Sequence, residues 1–90
     1  MSKETEKIIL GDEYDDALRD ALRAVLISSG AVGVDKIWGV GGSQEIESLV
    51  VRIGSDLITI EAETFIGLTV SGSKVVVEDI ASQVRRQLRV

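Results

Sequence analysis

The sequence predicts an α+β fold. The expected form is a two-layer sandwich: a three- to four-stranded, mostly antiparallel sheet with an N-terminal and a C-terminal helix packed on one face. Three observations carry this. Apolar residues recur at three- and four-residue spacing near both ends of the chain. Between those blocks they alternate with period two. Glycine clusters separate the blocks, and proline is absent from all 90 residues. The expected order is α-β-β-β(-β)-α, with a short extra strand at 7–10 as an option.

Residues 1–6 are charged and read as a disordered tail, leaving 7–90 as a single domain. Lys7-Ile8-Ile9-Leu10 suits a short strand or a lead-in to the first helix, and Gly11 ends it. Asp12 reads as the helix N-cap. Glu13, Asp15 and Asp16 then place negative charge on the first turn, where the backbone dipole is positive. Tyr14, Leu18, Ala21, Leu22 and Val25 form one apolar stripe, which predicts a helix over 13–29. Gly30 fits the left-handed position just past its end.

Val32 to Val40 reads as a strand with imperfect alternation. Gly41-Gly42-Ser43-Gln44 then reads as a flexible turn. Glu45 to Ile53 is a clearer strand, with Glu47, Leu49, Val51 and Ile53 on one side and Ser48, Val50 and Arg52 on the other. Gly54-Ser55-Asp56 predicts a hairpin turn.

Leu57 to Val70 keeps one parity throughout, with Ile58, Ile60, Ile66, Leu68 and Val70 in phase. Two structures satisfy it. One is a single long strand bent near Gly67. The other is two strands joined at Glu63-Thr64-Phe65, a loop without Gly, Asn or Pro. After Ser71-Gly72-Ser73 the period changes to that of a helix. Val77, Ile80, Ala81, Val84 and Leu88 predict a helix over 74–88, with Arg85, Arg86 and Arg89 compensating its dipole.

The chain has no histidine and no cysteine. A Ser-His-Asp or Cys-His site, a structural zinc site and a redox pair are therefore excluded. No metal site, cofactor or catalytic set is expected. The net charge of −5 disfavours general nucleic-acid binding and adhesion to an anionic membrane. It favours a basic protein partner or simple solubility. The polar start is neither a signal peptide nor a membrane span, and missing cysteine fits a reducing compartment. A cytoplasmic protein is expected.

Four features are candidates for function. Glu61 and Glu63, with Glu45 and Glu47 as candidates to join them, could form an acidic patch on one sheet face that also carries Arg52; solvated strand positions that discourage edge-to-edge aggregation are the favoured explanation. Trp38, the only tryptophan, is either a core side chain or an interface anchor. Ser71-Gly72-Ser73-Lys74 joins a strand to a helix N-terminus, where free backbone N–H groups and a lysine suit an anion. It is not a Walker A loop, and Gly39-Val40-Gly41-Gly42 is not a dinucleotide fingerprint. Arg85, Arg86 and Arg89 suit an acidic contact as well as dipole compensation. The expected function is a non-enzymatic interaction module binding a basic protein or itself. The alternative is a small-ligand or anion-binding domain using 71–74.

Overall fold

A computed structural model of the protein describes residues 4–41, 44–63 and 66–88, with side chains described outside 36–46. The fold is α+β, in the order β1 (Thr5–Gly11), α1 (Asp16–Ser28), β2 (Val32–Gly41), β3 (Gln44–Ile53), β4 (Asp56–Glu63), β5 (Gly67–Ser73) and α2 (Lys74–Leu88). The five strands form one antiparallel sheet in the order β1-β5-β4-β3-β2.

The expectation of three to four strands is corrected on two counts. The optional strand at 7–10 is a full strand beginning at Thr5, so Thr5 and Glu6 are not a tail. They pair with Ser73 and Gly72 of β5. Expected residues 1–3 of the tail lie outside the described residues. The ladder with β5 supplies the backbone partners that a run as short as Ile8-Ile9-Leu10 could not supply for itself.

The second count concerns 57–70, which is a hairpin. Glu63 pairs with Gly67, and the Ile66 N–H donates to the Glu63 carbonyl, closing the turn. The glycine that such a connection needs stands one residue after it: Gly67 has φ +118. It opens β5 rather than sitting inside the loop.

Helix α1 starts three residues later than the sequence pattern indicates. Asp12 forms an earlier turn, accepting from the Tyr14 N–H at 2.8 Å, while Asp15 is the cap and accepts from the Leu18 N–H at 3.1 Å. Tyr14 therefore falls outside the helix and is 69% exposed. At the other end the Ala31 N–H bonds the Leu26 carbonyl and the Gly30 N–H bonds the Ile27 carbonyl, the double bond pattern of a left-handed terminus at Gly30. Helix α2 has the bounds that its apolar period predicts, though Leu88 stays exposed.

One core holds the layers together. Leu18, Leu22 and Val25 of α1 and Val77, Ile80 and Val84 of α2 meet Val51, Ile58, Ile60, Leu68 and Val70 of the sheet. All these sheet positions share one face by register: Val51 opposes Ile58, and Ile60 opposes Val70. Both helices thus cover the same face, but the helical layer is incomplete. Beside α1 the β3 side of the sheet is only partly covered: Val51 is buried, whereas Leu49 and Ile53 are half-buried.

Candidate functional site

The incomplete layer leaves a concavity beside α1. It is a cleft of about 890 Å³ between α1 and the β3 side of the sheet. Its floor is apolar, built from Leu22, Leu26, Leu49, Val51, Ile60 and Ala62. Its mouth is charged, with Asp16, Arg19, Asp20 and Arg23 along α1 facing Glu47 on β3. Helix periodicity explains the arrangement: Leu18, Ala21 and Val25 turn into the core, so residues 16, 19, 20 and 23 must form the outer ridge. Arg19 Nη2 lies 3.7 Å from Glu47 Oε2, and Arg19 Nη1 donates to the Glu13 carbonyl at 2.9 Å. Sequence periodicity shows the apolar stripe of α1 but carries no sign of how far the sheet extends beyond it, so the cleft itself was not legible.

The structure separates the sequence-derived acidic patch. Glu61 opposes Ser48 and Thr69, and Glu63 opposes Gly67, so both stand on the helix-free face of the sheet. Glu47 opposes Ala62 on the helix side and does not join them. The side chain of Glu45 lies outside what is described. Arg52 shares the helix-free face but opposes Leu57, four positions along β3 from Ser48, or about 13 Å from the Glu61 rung. Thr69, also on this face, is only 1% exposed, and its hydroxyl lies 3.5 Å from the Glu61 carbonyl. Trp38 sits in β2 at the register position opposite Glu47; its side chain lies outside the described ones.

Ser71, Gly72 and Ser73 are not a loop. They are the end of β5, paired with Lys7, Glu6 and Thr5, and α2 begins at the next residue. The glycine there has a packing reason: a Cβ on Gly72 would stand 2.8 Å from the Leu57 carbonyl oxygen and 2.7 Å from Ile58 Cδ1. The Lys74 N–H donates to the Glu4 carbonyl at 2.9 Å, and Lys74 Nζ pairs with the Glu4 carboxylate at 3.4 Å.

The surroundings of Lys74 are acidic. Glu4, Glu6 and Glu78 line a shallow dip with it. Glu6 Oε2 is buried there without a hydrogen-bond partner, because two ionised carboxylates are both acceptors. Once Glu6 takes a proton it can donate to Glu78. That bond raises the Glu6 pKa, burial and the Glu78 charge raise it further, and Lys74 opposes them. An anion entering this dip would meet three carboxylates.

Arg85 and Arg86 are exposed in the last turn of α2, and Arg89 lies outside the described residues. Among the described residues, no group of acidic side chains is arranged to hold a metal ion, and no helix is long and apolar enough to cross a membrane. Compared with protein-family models, curated proteins and solved structures, the chain matches none.

Proposed function

We propose that the protein is a non-enzymatic interaction module: a small acidic subunit, adaptor or inhibitor-type protein that binds a basic protein or a second copy of itself. The observation that supports this most is the cleft beside α1, where Leu26, Leu49 and Ala62 stay half-buried beneath a charged mouth. Exposed Ile9 and Leu57 on the helix-free face add further apolar surface. The net charge of −5 favours attraction to a basic partner. In this reading Trp38, Glu61, Glu63 and Arg52 are contact residues, and the acidic pair and the cleft lie on opposite faces.

The anion-binding reading of Ser71 to Lys74 finds no support in the geometry. Its backbone belongs to a strand pair, and its lysine is engaged by Glu4.

The test is retention of proteins from native lysate by tagged chain, eluted across a salt gradient and identified by mass. We expect one stoichiometric partner, released at high salt. Replacing Glu61 and Glu63 together with lysine should weaken retention and flatten its salt dependence if the helix-free face is used. A chain that retains neither a lysate protein nor its own untagged copy ends the reading.

A further inference from the structure

We infer that the protein pairs with a second copy of itself through α1, the two helices lying antiparallel so that each covers the other's cleft. This rests on the interaction-module reading and names the partner within it.

The argument starts from charge order. Helix α1 carries Asp-Ala-Leu-Arg twice in succession, at 16–19 and 20–23. Asp16, Arg19, Asp20 and Arg23 all line the cleft mouth, so the ridge reads minus, plus, minus, plus. Reversed, that pattern is its own complement. An antiparallel pair about a two-fold axis between residues 19 and 20 sets Asp16 against Arg23 of the second copy, and Arg19 against its Asp20. Symmetry repeats each contact, giving a self-complementary interface. A parallel copy in the same register would set like charges together at every position. A uniformly acidic or basic helix would be repelled at half of them.

Two further observations point the same way. Asp16, Asp20 and Arg23 form no ion pair within the chain among the described residues, so their charges are available to a partner. Leu26 is half-buried and Ile27 is 70% exposed at the end of this same helix, giving the charged ridge an apolar continuation.

The experiment is sedimentation of the full chain from about 1 μM to about 1 mM, at low and high salt. A concentration-dependent dimer whose dissociation constant rises with salt is expected. Arg23→Asp alone and Asp16→Arg alone should each raise that constant at least about tenfold, because each places like charges together twice. An equimolar mixture of the two variants should restore a heterodimer close to wild-type affinity, since each then meets its opposite. That rescue, with circular dichroism matching wild type, separates a lost contact from a lost fold.

A wild type that stays monomeric over the whole range overturns the inference. So does a mixture that fails to recover pairing, or a pair of variants that dimerise as tightly as wild type. A monomeric chain that still captures a basic protein from lysate overturns self-pairing alone and leaves the interaction-module reading standing.

Discussion

Arg19 on α1 reaches Glu47 on β3 at 3.7 Å, and this pair bridges the mouth of the cleft from helix to strand. Their side chains are 43% and 40% exposed, so water screens the attraction. A pair of this kind contributes only about 0.2–1 kcal/mol. It guides the helix over the strand more than it holds it there.

A double-mutant cycle with Arg19→Ala and Glu47→Ala should therefore give a coupling below about 1 kcal/mol that shrinks with salt. The cycle is needed because each residue has other partners: Arg19 also bonds the Glu13 carbonyl, and Glu47 makes a further interaction. A coupling above about 2 kcal/mol would show the pair to be far better shielded from water than its exposure indicates.

The elements read well where a single periodicity governs them. Val77, Ile80, Ala81 and Val84 are buried as their spacing requires, and β3 presents Leu49, Val51 and Ile53 to the helix side. The difficulties have local causes. Parity alone cannot separate one long strand from a hairpin whose loop preserves phase, and the decisive residue, Gly67, serves the turn from the first strand position. Asp12 and Asp15 offer the same capping chemistry three residues apart, so composition cannot choose between them. For the candidate site, Glu61 and Glu63 share a face as alternation demands. The width of the sheet beyond α1, which makes the cleft, depends on strand order and has no local signature.

Gly67 joins two constraints, which makes it the most sensitive glycine for a turn test. Its φ of +118 strains any L side chain, and a Cβ there would collide with the Gly11 carbonyl oxygen at the end of β1. Gly67→Ala should cost at least about 2 kcal/mol, from backbone strain plus displacement of β1. In a domain of this size that lowers the melting temperature by roughly 8–16 °C. A loss under about half a kcal/mol would mean that β1 yields freely and is not anchored at Gly11.

The core should show a steep contrast along one helix. Ile80 is 1% exposed and sits among side chains from both helices and the sheet, whereas Val75, on α2, is 79% exposed. Ile80→Ala should cost about 2–5 kcal/mol by lost burial and the cavity left behind. Val75→Ala should change stability by no more than about half a kcal/mol. Urea midpoints at constant slope would measure both. Equal costs would contradict the assigned face of α2.

Glu6 gives the fold an unusual pH response, because its pKa is raised rather than lowered. The hydrogen bond that protonated Glu6 makes to Glu78 is the main cause, followed by burial and the Glu78 charge, against Lys74. Below its ordinary value of 4.5, Glu6 carries its proton in folded and unfolded chains alike, and this contribution to stability is fully present. As pH rises past that value the unfolded chain releases the proton first, while the folded chain still holds it. Folding then binds a proton, and the contribution is lost as pH climbs through the raised folded value. The other carboxylates obscure this in wild type alone, so the informative quantity is the difference between wild type and Glu6→Gln. Relative to the variant, wild type should become progressively less stable from about pH 4.5 upward and then level off. Glu78→Gln should flatten the difference too, since a neutral amide can donate to the ionised Glu6, whereas Lys74→Gln should enlarge it. Urea midpoints across that range decide the matter. A difference that stays flat or rises with pH would mean that Glu6 and Glu78 do not share a proton and that their carboxyls stand apart in solution.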